Sequence, residues 1–180
     1  MIRIIFESHA TSLDNEAKIA SGHHDVNLSE LGKQQAKELG ERYKNEEFDA
    51  IFCSDLKRAY KTAQIAFANR KFQIVQDDRL RECDYGDLTR HPIEEIEAEK
   101  MKHITDPFPK GESYEQAVAR VRYFLLDLQK IYQRRNVMII GHRATQYGLE
   151  HWIRKIPLQE VISVPWRWQS GLLYSLDKLT

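Results

Sequence analysis

Apolar residues in this chain gather into short unbroken runs separated by longer stretches of helical periodicity. "IRIIF" at 2–6 and "VMIIG" at 137–141 are the clearest runs, and each gives way to a polar cluster followed by helix-like sequence. Continuous isoleucine-rich runs of this length suit strands buried on both faces of a largely parallel sheet, because a strand with one wet face alternates instead. "FDAIFCS" at 48–54 is a third candidate strand, with weaker ones at "FQIVQ" (72–76) and "GLLYSL" (171–176).

Between the runs the period changes to that of a helix. Ser113, with Gln116 three residues on, forms a capping-box signature, and Ala117, Val121, Phe124, Leu125, Leu128, Ile131 and Tyr132 follow at helical spacing. Weaker helical patterns cover 29–44, where Leu31, Leu39 and Tyr43 share a face, and 55–68, where Ala59, Ala63 and Ala66 do. Strands alternating with helices predict an α/β layered fold with right-handed crossovers. "DPFPKGES" (106–113) reads as a loop, too short to link two domains, so one domain over 1–180 is expected.

Composition narrows the choice of function. The 180 residues are 42% hydrophobic and 30% charged, as in an ordinary globular protein. The 27 basic residues balance the 27 acidic ones, so no net field draws the molecule to nucleic acid or an anionic membrane, and any anion site must be local. Cys53 and Cys83 lack metal-ligand spacing, and "IRIIF" is too short for an export signal or a membrane span, which makes the cytoplasm the expected location. Oligomeric state is left open.

The candidate chemistry lies where strands end. In open α/β sheets ligands collect beyond the carboxyl ends of the strands, and three such ends carry "ESHATSLDN", "SDLKRAYKTA" and "GHRATQ". Their convergence would place His9, Asn15, Arg58 and His142 around one pocket. Imidazoles, a guanidinium and short polar loops at helix starts suit a phosphate or another oxyanion, and a neutral imidazole is a nucleophile toward phosphorus. Covalent transfer through His9 also requires an acid near the leaving oxygen, for which Glu82, Glu7 and Asp25 are the candidates. Each residue alone has an ordinary structural reading: a polar strand end for His9, a salt bridge for Arg58. Adjacent His23 and His24, with Asp25, invite a metal reading, but neighbours in an extended chain point opposite ways and no second ligand cluster is present; no metal or other cofactor is expected.

Taken together, the motifs resemble the histidine phosphatase superfamily, in its phosphoglycerate mutase-like branch. "SHATSLDN" (8–15) aligns with RHGETxxN, "GHHDVNLSELGKQQAKELG" (22–40) with GxxDxxLxxxGxxQAxxLG, and "SDLKRAYKTA" (54–63) with SxLxRAxxTA. "LREC" with "YGD" resembles the segment bearing the family's acidic residue, "PKGES" the loop before its long helix, and "IIGHRA" the segment with its second histidine, all in family order. The resemblance implies a three-layer α/β/α sandwich around a mostly parallel sheet of about six strands, and no required metal. It also implies that His9 is phosphorylated, that Arg58 and His142 hold the phosphoryl group, that Glu82 is proton donor and then base, and that Asn15 edges the pocket.

The implied activity is hydrolysis of a small phosphorylated metabolite, since mutases of the family are usually longer; mutase-type phosphoryl transfer and non-catalytic binding of phosphorylated ligands or proteins are the alternatives. The chain departs from the family at Ser8 (for arginine), Ala10 (for glycine), Thr11 (for an acidic or amide residue) and in "YGDLTRHP", which lacks the usual tryptophan, glutamate and glycine; Arg143 stands where a small residue is common. Arginine offers a fork of donors and a permanent charge, serine one hydroxyl. Losing two charged hydrogen bonds in the transition state slows a reaction by about 10² to 10⁴. Three readings of Ser8 stand: a weak or specialised phosphatase, a substitute charge from Arg143 (whose side chain equally suits solvent), or an altered form of an arginine-containing enzyme. Arg79, Arg81, Arg90, His91, Trp166 and Trp168 are candidates for the pocket mouth, and surface or core roles explain them as well.

Overall fold

The computed structural model describes every residue except Trp166 and Thr180. All five candidate strands form: β1 (Ile2–Ser8), β2 (Ala50–Cys53), β3 (Ile74–Gln76), β4 (Asn136–Gly141) and β5 (Leu172–Leu176). They make one sheet in the order β3-β2-β4-β1-β5, parallel except for the antiparallel edge strand β5. Among the described residues the sheet thus has five strands rather than the expected six or so.

Helices cover both faces, giving the expected three layers. Among the described residues the seven α-helices are α1 (Leu13–Glu16), α2 (Glu30–Arg42), α3 (Lys57–Ala66), α4 (Ile93–Glu99), α5 (Tyr114–Ile131), α6 (Arg143–Arg154) and α7 (Leu158–Ser163). Strand alternation divides the core. Ile2, Ile4 and Phe6 of β1, with Val137 and Ile139 of β4, pack against Val121, Phe124, Leu125 and Leu128 of α5 and Leu149 of α6. Ile5, Met138 and Ile140 face the other way, onto Leu39 of α2 and Ala59 and Ala63 of α3. Each buried branched or aromatic side chain contributes about 1.5–3 kcal/mol of transfer free energy, and this is why the central strands carry no polar face.

The helix expectations hold with two corrections of face. Ser113 caps α5 through both bonds of its capping box, Gln116 N to Ser113 Oγ at 3.2 Å and Ser113 N to Gln116 Oε1 at 2.8 Å. Ile131, expected on the buried stripe, is 72% exposed at the last turn of α5. Leu31 of α2 is also exposed, because the face that packs is Gly32, Ala36 and Leu39.

Gly32 shows what that packing requires. A Cβ there would stand 1.9 Å from the Thr11 carbonyl oxygen, so α2 lies directly on the loop that follows His9. The same contact is tied by Thr11 N donating to Gln35 Oε1 at 2.9 Å and Ser29 N donating to Thr11 O at 3.0 Å. Gly32→Ala is therefore expected to cost about 1–3 kcal/mol by overpacking, read as a lower denaturation midpoint in urea with an unchanged slope.

Candidate active site

β1, β2 and β4 are neighbours in the sheet, and their carboxyl ends open onto one cavity of about 680 Å³. Ser8 pairs with Gly141 in the parallel register, and His9 N continues the ladder by donating to Gly141 O at 3.0 Å. The next residue, His142, is the N-cap of α6. Two strand ends in register thus deliver two histidines, with ring centroids 4.9 Å apart.

The two rings differ in their bonding. His9 Nδ1 lies 2.7 Å from its neighbour's carbonyl, Ala10 O. A carbonyl oxygen only accepts, so Nδ1 carries the proton and Nε2 keeps its lone pair. His142 is almost wholly buried, and neither of its ring nitrogens has a hydrogen-bond partner among the described residues. Burial, reinforced by the charge of Arg58, lowers the His9 pKa to about 3 and holds that of His142 well below the ordinary histidine value. Both rings are neutral at physiological pH.

Arg58 enters from the first turn of α3. The residue is 2% exposed, and its guanidinium donates through Nη2 to Gly22 O at 2.8 Å and through Nη1 to His24 O at 3.0 Å. Burial lowers its pKa, and the carboxylates of Glu82, Asp14 and Asp25 oppose that shift. Its backbone oxygen accepts from Thr62 Oγ1 at 2.6 Å, and Thr62 Oγ1 in turn accepts from Ala10 N at 3.0 Å. One hydroxyl therefore links the arginine's helix to the histidine's loop.

Glu82 also lines the cavity, between β3 and the start of α6. Its carboxylate accepts from Cys83 N at 2.8 Å, Ala144 N at 3.1 Å and Arg143 N at 3.2 Å, so the first turn of α6 orients it. Thr145 of the same turn donates to Leu80 O at 2.7 Å and accepts from His142 N at 3.0 Å, tying the 80–82 segment to the end of β4. Of the other two candidate acids, Glu7 lines the cavity but is held by Arg42 and Tyr43, whereas Asp25 is paired with Lys57.

Asn15 borders the cavity, its side-chain oxygen accepting from Ser12 N at 3.0 Å within the α1 capping box. Ser8 and Arg143 line it as well. The Arg143 side chain is not turned to solvent: it is largely buried and paired with Glu97. His23 contacts the Glu82 carbonyl at 2.8 Å and His24 contacts Asp14 at 3.1 Å, so both support neighbouring loops. No group of three or more potential metal ligands occurs among the described residues. Arg79 and Arg81 are engaged by Asp77, Asp127 and Asp55, His91 by Glu95, and Arg90 lies outside the lining. Trp168 reaches the mouth, and Trp166 lies outside the described residues.

One wall went unread in the sequence. Gln35, Glu38, Leu39 and Arg42 of α2 face the cavity. Their i, i+3, i+4, i+7 spacing is a helix-face signal, but apart from Leu39, already expected on the packed face, their polarity marks them as solvent-facing until the tertiary structure sets them on the cavity.

Chemically, the arrangement combines a neutral imidazole with an open Nε2, a buried permanent cation and an oriented carboxylate in one cavity. Such a set has the chemistry to bind an oxyanion beside a nitrogen nucleophile.

Known proteins resemble this chain over most of its length. The family model of the histidine phosphatase superfamily (branch 1) matches residues 4–173. Phosphoserine phosphatase 1 of Hydrogenobacter thermophilus is 32% identical over 151 residues, 79% of this chain and 71% of that protein. A 2,3-bisphosphoglycerate-dependent phosphoglycerate mutase of Allorhizobium ampelinum is 29% identical over 189 residues, covering 97% of this chain and 90% of that one. The solved structure of Bacillus stearothermophilus YhfR superposes with a TM-score of 0.86 at 26% identity, covering 100% of this chain and 94% of that chain. On this evidence, joined to the sheet order and the paired histidines, the chain belongs to the histidine phosphatase superfamily.

Proposed function

We propose that this protein is a phosphatase that hydrolyses a small phosphorylated metabolite through a phosphohistidine intermediate. The observation that carries the reading is the bonding of His9: Nδ1 is tied to Ala10 O, and the opposite nitrogen is open in the cavity shared with Arg58 and His142. In the first step His9 Nε2 attacks phosphorus, the N–P bond forms as the ester P–O bond breaks, and Glu82 delivers a proton to the leaving oxygen. In the second step water attacks the phosphohistidine, Glu82 takes a proton from that water, and phosphate departs as the N–P bond breaks. Arg58, His142 and the loop around Ser8 and Asn15 hold the non-bridging oxygens, and Arg143 charges the wall beside His142. No metal ion enters this scheme.

Length separates hydrolysis from mutase transfer less sharply than the sequence reading expected, since the chain covers 90% of a named mutase. What supports hydrolysis is the rim. Asn15, Lys18, Glu38 and Trp168 border the cavity and are exposed, so the phosphorylated histidine is accessible to water.

Brief mixing with a labelled phosphomonoester is expected to leave acid-labile label on the wild-type protein and none on His9→Ala, with turnover of p-nitrophenyl phosphate lost by about 10³-fold or more. Label without turnover identifies a phosphorylatable binder instead, and absence of both rejects the reading.

The lowered pKa values have their own consequence. A group that stays neutral when folded but takes a proton at its ordinary value when unfolded removes stability as pH falls. Folding stability is therefore expected to be complete above pH 6.5 and to decline between pH 6.5 and about 3, the value to which the His9 pKa is lowered. His9→Asn is expected to flatten that decline, and the ring resonances of His9 and His142 to stay constant from pH 8 to 5. A titration midpoint near 6.5 for His9 contradicts the assignment.

A further inference from the structure

Ser8 leaves the end of β1 without the guanidinium of the family motif, yet a second strand-end residue draws one in. Glu7 is 1% exposed and lines the cavity. Its Oε1 accepts from Tyr43 Oη at 2.6 Å and from Arg42 Nη1 at 2.8 Å, and the backbone of Gly171 bonds the same carboxylate. A buried carboxylate costs several kcal/mol unless a cation and hydrogen bonds answer it, and here the answering cation belongs to the cavity wall.

Strand geometry sets the distance to the reaction centre. Glu7 lies two residues before His9, about 6–7 Å along the chain, and both line the same cavity, as does Ser8 between them. Arg42, held on Glu7, lies on that lining as well. Its partners among the described residues are Glu7 and Tyr43, with the Trp168 ring 5.8 Å away, and a guanidinium has five N–H donors, which leaves some for an anion.

We propose that Arg42 is a phosphoryl-binding residue of this cavity, supplied from α2 in place of the arginine that β1 lacks, and that Glu7 is its positioning residue. The inference rests on the function proposed above and adds a ligand to the same site.

The test is binding of inorganic phosphate by calorimetry, with folding checked by circular dichroism. Arg42→Gln is expected to weaken phosphate by about ten- to hundredfold, and Arg42→Lys by less. Because Arg42→Gln strands the buried Glu7, the double variant Glu7→Gln/Arg42→Gln serves as the folded control and is expected to bind as weakly as Arg42→Gln. Glu7→Gln alone is expected to weaken phosphate severalfold, an effect absent in the Arg42→Gln background; a purely structural Glu7 would lower the melting temperature and leave phosphate affinity unchanged.

Wild-type affinity in the double variant, with Arg58→Gln losing binding, overturns the role of Arg42 and leaves the phosphatase reading intact. Loss confined to a carboxylate-bearing phosphomonoester, with inorganic phosphate unaffected, overturns it too, by assigning Arg42 to the leaving group. A wild-type protein that binds no phosphate overturns both readings together.

Discussion

The parallel pairing of β1 with β4 is the constraint on which the site depends. Because Ser8 and Gly141 end the two strands opposite one another, the next residues on each chain are both histidines at the same height above the sheet. A one-residue slip would turn one of them to the opposite face. The register is held by the isoleucines of both strands, which fill cores on the two faces, so the hydrophobic contacts that stabilise the fold also set the 4.9 Å separation of the rings.

Around that pair the protein accepts costly electrostatics. Arg58 is among the largest fully buried side chains of the molecule, and its charge is answered partly by the peptide oxygens of Gly22 and His24 and partly by surrounding carboxylates. The histidines beside it stay neutral, since a second and third buried cation would raise the cost further. Glu82 gains its orientation from backbone N–H groups at the start of α6, and Glu7 from Tyr43 and Arg42. These groups form two polar clusters on the wall of one cavity, each fastened to a helix end.

The fold was legible because its strands are unbroken apolar runs, and the helix of 114–131 because a capping box precedes a long amphipathic stripe. The errors have a common cause. Leu31 and Ile131 fit the helical period, but Leu31 lies off the face of α2 that packs and Ile131 at the last turn of α5, and periodicity does not say which face finds a partner or where that partner stops. The strand count was overestimated because it came from the resemblance rather than from runs in the chain; the five runs that could be read are the five strands described.

Of the residues that line the cavity, His9, Asn15, Arg58 and His142 could be named from local motifs, since each lies at a strand end or helix start whose sequence marks it, whereas Glu82, in the loop after β3, was one of three candidate acids that only the family resemblance singled out. Arg143 was identifiable as a residue but not in its direction, because pairing with Glu97 depends on where α4 packs. Arg42 was invisible, being a charged residue in the last turn of an amphipathic helix, where solvent exposure is the ordinary outcome. The sequence by itself determined the layered fold, the order of the elements and the chemical identity of the strand-end residues, because these follow from local hydrophobic pattern and backbone preference. Tertiary structure alone decided which charges meet and which wall α2 presents to His9, because those depend on contacts between residues tens of positions apart in the chain.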